Sequence, residues 1–314
     1  MESSIIITGA NSGIGFECAL QMAKLAPNEQ IILACRNVQA GNEAINKIKS
    51  NTNHQNLLCL SLDLASLQSV RDFKKAFLEL PNTRVAVLIN NAGIAPNIRE
   101  TAYTKDGFEI TFGTNHLGGF YLTMLLLPYI KQGGSITFTA SDTHDPAAKA
   151  GIEPPIYKSA KKLAFPEKMP GKVGMKLGQR RYSTSKLCNV MTAYSFHKKV
   201  SDKNIRVNAF DPGLTPGTGF TKNFPAPLHF VVSRIMPLFI SFKKNMNSPQ
   251  TSGQRLANLA YAKELRHLNG IYYSDGKVIK SSTDSYNEDF QKDLWKTSIE
   301  LTGVKKEDIT TALT

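Results

Sequence analysis

The sequence predicts an α/β fold, a doubly wound parallel sheet of about seven strands with helices on both faces. Two observations carry that expectation. Short β-rich runs alternate with stretches of helical period, and the first strand runs straight into a glycine turn that opens a helix. At 314 residues and 41% apolar content the chain can bury a full core, so one domain spanning 1–314 is expected. Repeats and low-complexity tracts are absent.

The first strand, 3–8, contains Ile5-Ile6-Ile7 and leads into Thr8-Gly9-Ala10-Asn11-Ser12-Gly13-Ile14-Gly15, after which Phe16, Ala19, Leu20 and Ala23 fall at helical spacing. Bare backbone amides at a helix N-terminus can receive a pyrophosphate, and glycines carry no Cβ to hold the phosphates off. A tight turn that binds nothing is the bland alternative. The flanking strand and helix favour the binding reading. Further strands are expected at 29–34, 57–62, 84–89, 134–139, 204–210 and 269–274. Helices are expected between them, including 66–80, 107–129, 182–200 and 250–262, and a last amphipathic helix at 289–301 has Asp284 and Ser285 as candidate N-caps.

Two segments break the rhythm. Residues 142–181 read as a long connection, an insertion ahead of a helix that Tyr182 opens. Residues 214–248 hold the apolar run 224–242, which is broken by Pro225, Pro227 and Pro237 and carries His229 and Arg234. That run is a poor transmembrane span, and a substrate lid is the reading preferred for 214–248. The net charge of +13 is concentrated between residues 157 and 181, where eight Lys/Arg face one acid, Glu167. A solvated basic loop comes first as its explanation, a surface toward anionic lipid or an acidic substrate second, and nucleic acid third. Peripheral membrane contact therefore stays open as a partner, and the sequence leaves the oligomeric state undetermined.

Cys18, Cys35, Cys59 and Cys188 are scattered without metal-ligand spacing, so no metal is expected, and they suit a reducing, cytoplasmic setting. No signal peptide is evident, since the first strand starts almost at Met1.

The second strand ends in Ala34-Cys35-Arg36-Asn37, and no acid occurs between Gln30 and Gly41. An acid there would bond a free ribose 2′-hydroxyl, whereas an arginine accommodates a 2′-phosphate, so the expected cofactor is NADP(H). An exposed arginine ending a strand is the plain alternative. For catalysis, a tyrosine that protonates a carbonyl needs its pKa lowered from about 10, and a lysine four residues later on a helix supplies the positive field. Four Tyr-x-x-x-Lys pairs occur: Tyr157/Lys161, Tyr182/Lys186, Tyr194/Lys198 and Tyr273/Lys277. Tyr273 lies on a strand, Tyr157 follows Pro154-Pro155 in the basic loop, and Tyr194 falls in register with Leu187, Val190 and Met191 as core. Tyr182/Lys186 is the pair that remains.

With Asn90-Asn91-Ala92-Gly93, Asn115, Ser141, Tyr182-Ser183-Thr184-Ser185-Lys186 and Asp211-Pro212-Gly213 in the same order, the chain resembles the short-chain dehydrogenase/reductase family over nearly its whole length. Its Ala34-Cys-Arg-Asn37, Asn115-His-Leu-Gly118, Lys186-Leu-Cys-Asn189 and 294–303 segments are similar to the branch of retinol dehydrogenases and light-dependent protochlorophyllide reductases. The resemblance implies a Rossmann-type fold with four catalytic residues. Asn115 would hold a relay water, Ser141 would bond the substrate carbonyl, Tyr182 would be the acid/base and Lys186 would hold the nicotinamide ribose. Along the cofactor it implies Gly9, Asn11, Ser12, Gly13, Ile14 and Gly15 at the phosphates, with Arg36 beyond them. It places Asp63 and Leu64 at the adenine, Asn90, Ala92 and Gly93 along the ribose, and Pro212, Gly213 and Thr218 at the nicotinamide end.

Departures from that pattern are informative. Tyr182 stands 41 positions after Ser141, against a short gap in most of the family. The amino-terminal anchor typical of animal retinol dehydrogenases is not seen, Cys188 reads as a packed thiol, and His144 as a residue shaping the site mouth. The leading expectation is an NADP(H)-dependent oxidoreductase that moves a hydride to or from a carbonyl or alcohol of a bulky apolar substrate. A light-dependent protochlorophyllide reductase is one alternative, which illumination with pigment and NADPH would distinguish. A non-catalytic NADP-binding sensor is the other, disfavoured by the intact Asn115/Ser141/Tyr182/Lys186 set.

Overall fold

All seven expected strands form, and an eighth joins them. In the computed structural model, which describes residues 3–96, 101–167, 173–216 and 245–305, these are β1 (Ser4–Thr8), β2 (Gln30–Cys35), β3 (Leu57–Ser61), β4 (Val85–Asn90), β5 (Ile130–Thr139), β6 (Arg206–Asp211), β7 (Tyr272–Ser274) and β8 (Lys277–Ile279). They make one sheet in the order β3-β2-β1-β4-β5-β6-β7-β8. Pairing is parallel from β3 to β7, and β8 alone runs antiparallel, folded back on β7 through Asp275-Gly276. Both turn residues have positive φ (49° and 80°), as a two-residue hairpin turn needs. The exposed three-residue β8 is too short to show a period, which hides it in the sequence.

The apolar runs become strands because both sheet faces are covered. Ile6, Ile32, Leu88 and Ile136 face one core, beneath α3 (Leu67–Leu78), α5 (Gly118–Leu126), α7 (Gly174–Lys199) and α9 (Glu288–Thr302). Ile5, Ile7, Ile31, Leu33 and Val87 face the other, beneath α1 (Gly13–Leu25), α2 (Val38–Asn51) and α8 (Pro249–Tyr261). Gly253 lets α8 lie directly on α1, since a Cβ there would strike the Glu17 side chain.

Four expectations about the helices need correction. The helix expected at 107–129 is a short α4 (Ile110–Phe112), a π-turn (Gly113–Leu117) and α5. Tyr182 does not open its helix, because α7 starts at Gly174. The glycines and charges of 174–181 read as loop, yet Met175, Lys176, Leu177, Gln179 and Arg180 are all good helix formers, and propensity prevails. The 142–181 insertion is accordingly not irregular throughout, and it also holds α6 (Ala160–Ala164). Finally, neither Asp284 nor Ser285 caps the last helix. Asn287 does, accepting bonds from the Asp289 and Phe290 amides at 3.0 and 3.1 Å, while 283–286 form a 3₁₀ turn.

The insertion is tied down by α9. Asp293 accepts bonds from the Tyr157 hydroxyl at 2.7 Å and the Ala160 amide at 2.8 Å, and Trp295 packs edge-on against Phe120 and Phe196. Within the basic stretch, Lys158, Lys161, Lys162 and Lys176 are exposed, whereas Arg180 and Arg181 pair with Glu153 and Glu109. Among the described residues no helix is long and apolar enough to cross a membrane. Most of the expected lid, including the 224–242 run, lies outside the described residues. Its base is closed by a bridge between Leu214 and Met246.

Candidate active site

The carboxyl ends of β1, β4, β5 and β6 lie on one edge of the sheet, and strand order reverses between β1 and β4. A crevice at such a reversal is where open α/β sheets bind ligands. Here the glycine turn meets the turn after β4. Thr8 Oγ1 accepts bonds from the Asn91 and Ala92 amides, both at 2.9 Å, and Asn91 Nδ2 donates to Thr8 O at 3.0 Å. Gly9 has φ of +66°, and a Cβ on Gly15 would strike the Gly9 carbonyl. The turn is therefore as tight as its glycines permit. Ser12 makes no side-chain cap bond, and the first turn of α1 carries no acid. The helix opens with unanswered amides and a positive dipole end, the cradle an anion requires. Arg36 is exposed just beyond β2, and the next residue, Asn37, caps α2 by accepting from the Ala40 amide at 3.0 Å.

From this turn the site continues through β4 to α7. A Cβ on Gly93 would lie 3.1 Å from Asn115 Oδ1 and 3.7 Å from Lys186 Nζ, so the backbone passes closely under both. Asn115 sits in the π-turn, a helix irregularity that often marks functional positions. Its side chain accepts from the Ile94 amide at 2.7 Å and donates to Ile94 O at 3.2 Å and to Ser185 Oγ at 3.0 Å. The next residue, His116, pins the turn with Nε2 at 2.8 Å from Ser298 Oγ, and burial pulls its pKa down to about 3, so it stays neutral.

Tyr182 and Lys186, one turn apart in α7, are 8% and 5% exposed, a phenol and an ammonium enclosed together. Lys186 Nζ lies 5.5 Å from the centre of the Tyr182 ring and donates to Thr139 O at 3.1 Å, an acceptor it shares with Asn189 Nδ2. Burial draws the lysine pKa down to about 8, against the opposing pull of the Asp211 charge. Tyr182 is hydrogen-bonded to the Ser141 side chain, which eases its ionisation. Burial, with Asp211 and Asp142 behind it, works the other way and holds the phenol above its ordinary range.

Asn115, Ser141, Tyr182 and Lys186 thus converge, with the glycine turn, Ala92 and Gly93 beside them. Pro212 and Gly213 follow β6 on the same edge, Gly213 with φ of +70°. Asp63 and Leu64 follow β3, where Asp63 Oδ1 accepts from the Ala65 amide at 3.0 Å. The Asn90 side chain turns away, donating to Thr123 Oγ1 of α5 at 2.9 Å, so what it offers the crevice is backbone. Thr218 lies outside the described residues. Three contributors were given no role by the sequence: Ser185 on Asn115, Asp142 beside Ser141, and Asn245, which bonds Asp142. His144 proves to be an orienting residue. Its Nε2 accepts from the Ser282 amide at 3.1 Å, so Nδ1 carries the proton that it donates to Ser141 O at 2.6 Å.

A doubly wound sheet with a glycine turn at its reversal point defines a Rossmann-type α/β fold. The family model described as short chain dehydrogenase matches residues 3–164. The chain belongs to the short-chain dehydrogenase family, in its retinol dehydrogenase-like branch. It is 31% identical to mouse retinol dehydrogenase 12 over 96% of this chain and 87% of that protein, and 31% identical to human retinol dehydrogenase 13 over 96% and 85%. It is also 32% identical to the chicken WW domain-containing oxidoreductase across 94% of this chain, and spans 66% of that longer relative. Among solved structures, L-sorbose reductase from Gluconobacter frateurii, complexed with NADPH and L-sorbose, superposes with a TM-score of 0.62 at 20% identity, covering 89% of this chain and 97% of that one. A 3-ketoacyl-(acyl-carrier-protein) reductase from Brucella melitensis, complexed with NADH, gives 0.61 at 18% identity, covering 88% and 97%. The protein is therefore an oxidoreductase by family.

Proposed function

We propose that the protein is an NADP(H)-dependent oxidoreductase that interconverts a carbonyl and an alcohol on a bulky apolar substrate. The observation that carries this is the enclosed Tyr182–Ser141–Lys186 cluster at the carboxyl edge of the sheet, beside an open helix N-terminus. When bound, the nicotinamide supplies or accepts the hydride. The residues present fit such a cofactor: Gly9 to Gly15 at the phosphates, Asp63 and Leu64 at the adenine, Ala92 and Gly93 along its length, Lys186 at the ribose, and Pro212 and Gly213 near the nicotinamide. The backbone at Asn90 adds to this wall.

In the direction of reduction, Ser141 Oγ orients the carbonyl oxygen and the Tyr182 hydroxyl gives it a proton. Lys186 steadies the phenolate left behind, and Asn115, through its bonds to Ile94 and Ser185, holds the wall along which the proton is replaced. In oxidation Tyr182 takes the proton instead. The substrate class is supported by two relatives named as retinol dehydrogenases and by the apolar 224–242 run.

Preference for NADP over NAD follows from Arg36, exposed where an acid would otherwise meet the ribose. Charge-assisted hydrogen bonds contribute about 1.5–3 kcal/mol, so Arg36→Ala is expected to weaken NADPH binding about 10–100-fold and NADH binding little. Fluorescence titration with both cofactors, beside turnover of retinal-like and aromatic aldehydes, checks this. Equal losses for both cofactors would remove Arg36 from 2′-phosphate recognition.

A further inference from the structure

We propose that Asp142 and Asp211, held side by side by the carboxamide of Asn245, form a carboxylate pair that positions Ser141 and sets the pH range in which Tyr182 exchanges its proton. This rests on the acid–base role proposed for Tyr182. Asn245 Nδ2 donates to Asp142 Oδ2 at 2.8 Å and to Asp211 Oδ2 at 3.2 Å. Asp142 Oδ1 in turn accepts from Ser141 Oγ at 3.3 Å. Asp211 is held by the Gly213 amide on Oδ1 at 2.9 Å and by Ser274 Oγ on Oδ2 at 2.7 Å. One amide group therefore joins the turn after β5, the turn after β6 and the segment ahead of α8. Asn245 occupies the left-handed region with φ of 58°, and its carbonyl accepts from the Leu214 amide at 2.9 Å. Asparagine is among the few non-glycine residues that adopt that region readily, so the position suits the residue found there.

Two carboxylates bridged by one amide are costly to ionise together. Burial, and then the Asp211 charge, raise Asp142 to about 6. The groups facing the pair offset its charge only in part. From α7, Lys186 is the cation that answers Asp211. From the Asp142 turn, His144 is kept neutral mainly by burial, with Asp145 and Asp211 pulling the other way. From β7, the Tyr272 phenol stays protonated, held up by burial and by the charges of Asp211, Asp142 and Asp145.

The sign follows directly. Each negative charge beside Tyr182 disfavours the phenolate, so removing one lowers the pH at which the phenol ionises, and adding one raises it. Asp142→Asn removes a charge at constant shape, its oxygen facing Asn245 Nδ2 and its amide facing Ser141 Oγ. Asn245→Asp adds a third carboxylate. The acid limb of alcohol oxidation and the alkaline limb of carbonyl reduction should both move down by about one pH unit in Asp142→Asn and up in Asn245→Asp. Tyr182 ionisation is read separately, without turnover, as the phenolate absorbance difference between each protein and its Tyr182→Phe counterpart. Opposite shifts in the two variants are the expected result, and a purely structural role would not produce them. Limbs and titration that stay put in both variants, or move together, overturn the proposal. If Asp142→Asn does not fold, the absence of an upward shift in Asn245→Asp overturns it. Turnover that survives Tyr182→Phe would instead overturn the parent reading, while the phenolate titration still reports on the carboxylate pair.

Discussion

Replacing Tyr182 with phenylalanine is expected to lower kcat by about 10²–10⁴-fold, the range a positioned proton donor contributes. The change deletes one oxygen from a side chain that is 8% exposed, so the ring keeps its packing and no cavity opens. Ser141 loses one partner but is not orphaned, because its hydroxyl also bonds Asp142 and the Thr143 amide, each at 3.3 Å. The stability cost stays near that of one hydrogen bond, about 1 kcal/mol. NADPH affinity should be retained, since the phosphate cradle lies in the turn before α1. Steady-state NADPH oxidation, set beside a fluorescence titration of the same variant, separates the two quantities. Full activity in the variant would remove Tyr182 from the chemistry.

Lys186→Met is expected to lower kcat by at least about 10²-fold and to change the pH dependence of stability as well. Lys186 Nζ lies 5.5 Å from the centre of the Tyr182 ring, and its loss also removes the positive charge that answers Asp211. The stability argument has a definite sign. Burial lowers the lysine pKa from 10.5 to about 8, so between those values the unfolded chain binds more protons than the folded one. Lys186 thus contributes a rise of wild-type stability with pH across about 8–10.5, by up to about 3 kcal/mol, and this contribution should be missing from the methionine variant. Urea unfolding at pH 7.5 and pH 10, wild type against variant, reads the difference. The same change between the two pH values in both proteins would show that the lysine is not held in a costly charged state.

Local order in the sequence explains which features were legible. The strand–turn–helix at 4–25 was readable because its apolar run, glycines and helical spacing are contiguous. Tyr182 was separable from three rival tyrosines because each rival had a local reason to be something else. Tyr157 indeed bonds Asp293, Tyr194 lies 2.7 Å from Ser281 Oγ, and Tyr273 pairs across to β8. The π-turn at 113–117 was hidden because it changes hydrogen-bond register without changing apolar character. The start of α7 was masked by glycines and charges that a helix docked on a core tolerates. Asp142, Asp211 and Asn245 carry no shared motif, and only the sheet edge brings these distant residues together.

The central claim is hydride transfer from NADPH to a carbonyl carbon. NADPH carrying deuterium at the transferable C4 position, incubated with the wild-type protein and an apolar aldehyde, tests it by mass spectrometry of the product alcohol. The account predicts one deuterium on the carbinol carbon and its loss when Tyr182→Phe replaces the wild type. A protein that binds NADPH yet leaves no deuterium on any of a panel of aldehydes would contradict it.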